Sequence, residues 1–285
     1  KQLRARSLEH KNDGILEPRH IRNSEKVMKK LVAFDLDNTL AESKSQIPDE
    51  MAYILGQLLE KYEVCIISGG KFGQFEKQVI NRLSVSDEQL GRLHIMPTCG
   101  TRYHRYDSVD KEWKLIYHND LTDDQKKRIR AAFEKGAKQL GMWEEKPYGE
   151  IIEDRGSQMT YSALGQEIGE MLGEEGIKRK YAWDPDMKKR NALRDLIAPE
   201  LDDVEVRVGG ITSIDVTLPG VDKAYGMNKL MDELSMSKEE ILFIGDMLQE
   251  GGNDYPVKLM GIDTVEVRNY EDTPFVVRGI LAVAD

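Results

Sequence analysis

Apolar positions in this chain fall into two kinds of run, and the difference divides the sequence. Leu31-Val32-Ala33-Phe34, Val64-Cys65-Ile66-Ile67 and Ile241-Leu242-Phe243-Ile244 are unbroken, and each ends on a polar or glycine residue. Short continuous runs of this kind suit strands buried on both faces of a parallel sheet. Leu93-His94-Ile95-Met96 and Thr264-Val265-Glu266-Val267 predict two more strands. Between the first two runs, Met51, Ile54, Leu55, Leu58 and Leu59 recur at helical spacing. Pro48 and Asp49 suit the first turn of that helix. Phe72, Phe75, Val79, Ile80 and Leu83 predict another helix after Ser68. Strands alternating with helices imply an α/β sheet with right-handed crossovers.

From about residue 108 to 218 the pattern becomes more polar and alternates. Strands are expected over Trp113–Tyr117, Ile151–Glu153, Met159–Ser162, Val204–Val208 and Ile211–Thr217, with helices over about 122–140 and 186–197. Alternation implies an antiparallel sheet with helices on one face. The expected fold class is therefore α/β: a Rossmann-like parallel-sheet core formed by residues 29–107 and 219–285, with an inserted α+β domain at 108–218. Hinges are expected near Asp107-Ser108 and Leu218-Pro219-Gly220. Residues 1–28 carry no period, are mildly basic, and are expected as a loosely docked N-terminal extension.

Charge narrows the class of partner. A formal net charge of −10 over 285 residues argues against general nucleic-acid or membrane-surface binding. A small anionic substrate would need a local positive site, from a metal ion, lysines or helix N-termini. No apolar stretch approaches the roughly 20 residues of a membrane span. With no signal-peptide core at the N-terminus, a cytoplasmic location is expected. Cys65 and Cys99 lie in or beside apolar runs and read as buried thiols, not as a disulfide or zinc site.

Three polar clusters sit where unbroken strands end, and ligands bind at the carboxyl edge of an open parallel sheet. The first is Asp35-Leu36-Asp37-Asn38-Thr39, with two carboxylates two residues apart. The second is Ser68-Gly69-Gly70, whose hydroxyl and N–H groups can hold a phosphate oxygen. The third is Gly245-Asp246, followed by Gly251-Gly252-Asn253-Asp254. Four carboxylates converging on one point repel unless a cation lies among them, and oxygen ligands with room for water point to Mg²⁺.

These motifs resemble the haloacid dehalogenase superfamily, subclass IIB. Asp35-Leu36-Asp37-Asn38-Thr39 is similar to its first motif, D-x-D-x-T; Ser68, Lys223, and Asp246 with Asp254 match the second, third and fourth. More narrowly, residues 30–275 resemble the eukaryotic-type phosphomannomutases, above all at Gly209-Gly210-Ile211-Thr212-Ser213-Ile214-Asp215, Gly220-Val221-Asp222-Lys223 and Glu271-Asp272-Thr273. The resemblance implies that Asp35 attacks phosphorus and that Asp37 serves as acid and then base. It implies that Ser68, Gly69 and Lys223 bind phosphate. Mg²⁺ would be held by Asp35, the Asp37 carbonyl, Asp246 and Asp254. The inserted domain would be a cap whose Arg155, Gln166, Ser213 and Asp215 face a phosphorylated sugar, and a homodimer would form through that cap.

The chain departs from the phosphomannomutase pattern in two ways. Asn38 stands where glycine is usual. Tyr148 and Gln166 stand where cap arginines hold the phosphate at the far end of the sugar. The missing charge tilts the expectation from mutase to phosphatase. Lys178, Arg179, Lys180, Lys188, Lys189 and Arg190 form a basic run read as a solvated face.

Overall fold

Burial on both faces places the three unbroken apolar runs side by side in the middle of one sheet. The structure is a computed structural model that describes residues 27–284. Residues 1–26 of the expected extension lie outside the described residues. The chain opens with β1 (Leu31–Phe34), α1 (Asp49–Lys61), β2 (Glu63–Ile67), α2 (Phe72–Gln78), α3 (Asp87–Leu90) and β3 (Leu93–Met96). A hairpin follows, β4 (Arg102–Asp107) and β5 (Glu112–His118). The middle contains α4 (Asp123–Gln139), β6 (Ile152–Asp154), β7 (Gln158–Ser162), α5 (Ile168–Trp183), α6 (Lys188–Ile197), β8 (Glu205–Val208) and β9 (Ser213–Thr217). The chain closes with α7 (Lys223–Leu234), β10 (Ile241–Gly245), α8 (Tyr255–Leu259), β11 (Asp263–Glu266) and α9 (Thr273–Ala282).

Seven strands form the large sheet in the order β11-β10-β1-β2-β3-β4-β5. The five from β11 to β3 run parallel. Alternate residues of β1 feed two cores. Val32 and Phe34 pack with Ile54, Leu55 and Leu58 of α1 and Val277 of α9. Leu31 and Ala33 pack with Met227 and Leu230 of α7 and Val257 of α8. Because β1 has β2 on one side and β10 on the other, the chain leaves it at the point where strand order reverses. That is where open α/β sheets bind ligands.

The second sheet is antiparallel, in the order β6-β7-β9-β8. Met159, Tyr161, Ile214 and Val216 point to one face and pack with Ile129 and Phe133 of α4 and Leu193 and Ile197 of α6. Helix α4 starts on a reciprocal cap between Thr122 and Gln125. No helix among the described residues is long and apolar enough to cross a membrane.

Three expectations are corrected. Trp113–Tyr117 belongs to β5, at the end of the large sheet, not to the inserted sheet. Asp107-Ser108 is accordingly a hairpin turn between β4 and β5, and the second sheet's elements begin only at α4. A hairpin at a sheet edge is half-exposed and alternates as inserted strands do, so the pattern could not separate them. The helix expected through Leu83 stops at Gln78, before a short turn of tighter helix at Ile80–Arg82. Helix α5 carried no sequence signal. Gly173 interrupts it at φ 56° and breaks any helical period.

Candidate active site

The three polar clusters meet at the carboxyl edge of the large sheet. Asp35 continues β1, its N–H donating to the Ile244 carbonyl at 3.0 Å, and it is 3% exposed. Its Oδ1 lies 2.6 Å from Lys223 Nζ. The same ammonium lies 2.5 Å from Asp254 Oδ1, and Lys223 is 1% exposed. Lys223 opens α7, where Asp222 caps the helix by accepting from the Tyr225 N–H at 2.9 Å. A Cβ on Gly226 would lie 2.6 Å from the Cys99 carbonyl oxygen, so only glycine lets α7 come this close. Asp254 Oδ2 accepts from the Met247 N–H at 3.1 Å. A Cβ on Gly245 would come within 2.7 Å of Asp254 Cγ, which gives the Gly245-Asp246 pair a steric reason.

Asp35, Asp246 and Asp254 each place a carboxylate oxygen within 4.8 Å of the others. Three carboxylates against one ammonium leave two negative charges in a largely dry place. Burial pushes the Asp35 carboxyl above its usual range; Lys223 opposes the push, and Asp254 and Asp37 add to it. Asp246 is raised as well, by burial and then by Asp254. Burial would lower Lys223, but the charges of Asp35 and Asp254 outweigh it and hold the ammonium above its usual range. A 2.6 Å contact with that ammonium is the geometry of an ionised Asp35. An all-oxygen cluster carrying two excess negative charges fits a divalent cation.

Asp37 stands apart from this cluster. Its Oδ1 accepts from the Lys44 N–H at 2.7 Å and its Oδ2 from Gln74 Nε2 at 3.3 Å. Asn38 has φ 62°, the left-handed region that asparagine tolerates. Thr39 Oγ1 lies 3.4 Å from Asp246 Oδ1. At the end of β2, the Ser68 carbonyl accepts from Cys99 N–H at 3.0 Å and the Gly70 carbonyl from Thr98 N–H at 3.0 Å. Thr98 and Cys99 both adopt left-handed backbone, φ 49° and 55°, which is costly for these residues. Cys65 is buried, Cys99 half-buried, and both are free thiols.

The polar face of the second sheet turns toward this edge. Arg155 Nη1 donates to the Gly69 carbonyl at 2.8 Å and its Nε to Glu153 Oε2 at 2.8 Å. Lys71 Nζ lies 2.6 Å from Glu153 Oε1, and Thr98, Thr101 and Ser157 join their hydroxyls across the boundary. Arg155 therefore clamps the two sheets together at the Ser68 turn, where a ligand for the far end of a sugar was expected. Asp215 Oδ1 accepts from Thr160 Oγ1 at 2.7 Å, and Ser213 lies on the same strand face. Gln166 accepts from Lys44 Nζ through its carbonyl at 3.3 Å and through Oε1 at 3.4 Å.

The basic run divides. Lys188 pairs with Asp186, and Arg190 with the buried Asp184. Arg179 bonds Glu175 and reaches the Tyr148 hydroxyl at 3.4 Å. Lys180 is half-buried, and burial and then the Lys44 charge lower its ammonium to about 8. Lys44, Gln74, Lys71 and Glu153 carried no motif; they enter the site only through contacts between elements distant in sequence.

Known proteins resemble the chain in sequence and in fold. The chain is 26% identical over 253 residues to a phosphomannomutase of Encephalitozoon cuniculi, covering 86% of this chain and 91% of that one. Its fold is similar to that of the IMP-nucleotidase of Plasmodium falciparum, with TM-score 0.62 and 17% identity, covering 90% of this chain and 67% of that one. It is also similar to a haloacid dehalogenase-like hydrolase from Bacteroides thetaiotaomicron, with TM-score 0.54 and 16% identity, covering 88% and 99% of the two chains. The family profile of the haloacid dehalogenase-like hydrolases matches residues 32–256, and with Asp35, Lys223, Asp246 and Asp254 gathered at one sheet edge the chain belongs to that family.

Proposed function

We propose that the protein is a phosphohydrolase acting on a phosphorylated sugar, with the Asp35 carboxylate as nucleophile. The observation that carries this reading is the convergence of Asp35, Lys223, Asp246 and Asp254 at the switch point of the sheet. An Asp35 oxygen attacks phosphorus and the bond to the leaving oxygen breaks, leaving an aspartyl-phosphate. Asp37, held away from the carboxylate cluster by Lys44 N–H and Gln74, protonates that leaving oxygen. It then takes the proton of the water that attacks the aspartyl-phosphate and releases inorganic phosphate. Ser68, Gly69 and Lys223 hold the transferring oxygens, and the Lys223 ammonium offsets charge as it builds. Asp35, Asp246 and Asp254, with the Asp37 carbonyl, would hold Mg²⁺, which would supply the positive charge that lets phosphate approach a carboxylate. The second sheet, clamped at Gly69 by Arg155, excludes bulk water from the edge.

A second reading, a hexose-phosphate mutase, is favoured by the similarity to phosphomannomutases. It differs only in the second acceptor, a sugar hydroxyl in place of water. Incubation with Mg²⁺ and a panel of hexose phosphates, with and without a sugar bisphosphate, separates the two by released phosphate against isomer exchange. Asp35→Asn should lower either activity at least about 10⁴-fold. Full turnover in that variant would remove the mechanism.

A further inference from the structure

Asp37 has to reach the leaving oxygen from outside the carboxylate cluster, and its own carboxylate is held by two amide donors. Oδ1 accepts from the Lys44 N–H at 2.7 Å, and Oδ2 from Gln74 Nε2 at 3.3 Å. Neither donor is fixed by itself. Lys44 is exposed, as are Glu42, Ser43 and Gln46 on the same loop. Its φ of 60° is a left-handed angle that costs a lysine energy. Gln74 is half-buried, on a long side chain with several staggered rotamers.

Both donors lead back to one residue. Gln78 lies one helical turn after Gln74 on α2 and is 3% exposed. Its Oε1 accepts from Gln74 Nε2 at 2.8 Å, so that one amide nitrogen directs its two hydrogens to Gln78 and to Asp37. Its Nε2 donates to the Ser45 carbonyl at 2.6 Å, and its own backbone carbonyl accepts from the Ile47 N–H at 2.9 Å. Those two bonds tie down the loop from which the Lys44 N–H points at Asp37. Such a hub needs a donor and an acceptor on one buried side chain. An ionised glutamate would offer no donor to Ser45, and a leucine would offer neither. Gly70 leaves room for the arrangement, since a Cβ there would come within 2.7 Å of Gln74 Cδ.

We infer that Gln78 is a positioning residue for the reaction, setting the Asp37 carboxyl through Gln74 on one oxygen and through the Ser45–Lys44 loop on the other. Helix α2 follows directly on the Ser68-Gly69-Gly70 turn. One stretch of chain therefore orients both the transferring phosphoryl group and the acid that serves its leaving oxygen. The inference rests on the phosphoryl-transfer reading of Asp35 and Asp37.

The test compares two probes that differ by one nitro group, p-nitrophenyl phosphate and phenyl phosphate, each with Mg²⁺. The value read is kcat/KM, which reports formation of the aspartyl-phosphate. p-Nitrophenolate departs with little help, whereas phenolate depends more on a proton from an acid. Gln78→Leu should lower the ratio of phenyl to p-nitrophenyl kcat/KM about 30-fold, and Gln74→Leu about five-fold, because a mis-set acid slows the harder departure most. Gln74→Leu, at a half-buried position, covers the case in which Gln78→Leu does not fold. In an Asp37→Asn background no acid is left to position, and neither substitution should move the ratio by more than about two-fold. An unchanged ratio in either folded variant, or the same fall with and without Asp37, overturns the inference. The phosphoryl-transfer reading fails separately, if Asp35→Asn turns over p-nitrophenyl phosphate as fast as the wild-type chain.

Discussion

The edge around Lys223 and the cleft around Lys44 are both polar and both hold lysine, yet their charges are arranged differently. At the edge, one buried ammonium serves two buried carboxylates, with Asp246 beside them, and the excess is negative. In the cleft, Lys44 Nζ meets only the carbonyl and Oε1 of Gln166, while Glu153 is shared by Lys71 and Arg155 and Asp37 by the Lys44 N–H and Gln74. The first place suits a cation, whereas the second is closed by hydrogen bonds and ion pairs within the protein. The difference also lies in what builds each place. Parallel strands and the close α7 packing fix the edge, whereas the cleft exists only because the second sheet closes on the first through Arg155 and Ser157.

The largest expected effect falls on the edge. Lys223→Ala leaves Asp35 and Asp254 buried without a countercharge and should cost about 3–5 kcal/mol in urea unfolding without added metal. Mg²⁺ should recover part of that loss. A variant as stable as the parent would show that the acids do not depend on Lys223.

Next comes the Asp184–Arg190 pair, which is buried and closed, and so separates structural pairing from a site awaiting a ligand. Burial alone would raise Asp184, but Arg190 Nε and the N–H groups of Arg190 and Lys189 outweigh it and hold the carboxyl below its usual range. A depressed folded value means that the stabilisation is present above the ordinary carboxylate range and is lost as pH falls through the folded value. Asp184→Asn should therefore cost about 3 kcal/mol at neutral pH and flatten the acid limb of the stability profile. An acid limb identical to that of the parent would rule out this pair as its source.

The smallest effect belongs to the clamp. Arg155→Ala removes charged hydrogen bonds to Gly69 and Glu153, worth about 1.5–3 kcal/mol together, from contacts between the sheets rather than within either. The substrate KM should rise while Asp35 still reacts. A fall in kcat at unchanged KM would assign Arg155 to the transition state instead.

Legibility followed the range of the interactions. The parallel strands could be read because two-sided burial writes four apolar residues in a row, as in Leu31–Phe34. The β4–β5 hairpin was misplaced because a half-exposed edge and a half-exposed inserted strand carry the same alternation. Gly173 hid α5 by breaking its period. Within the site, Asp35, Asp37, Ser68, Asp246 and Asp254 stood out because each follows the end of an expected strand, whereas Lys223 was legible only through the family resemblance. Arg155 was legible as a cap residue, but its hold on the Gly69 carbonyl was not.

The chain by itself determined the buried strands and the order of the polar clusters that end them. These follow from local burial and steric rules that act within a few residues. Only the tertiary structure decided that Lys223 bridges Asp35 and Asp254, that Arg155 serves the boundary between the sheets, and that Lys44 reaches Gln166. Coulomb interactions and hydrogen bonds depend on distance in space, and side chains 122 positions apart have no pattern in sequence that records their approach.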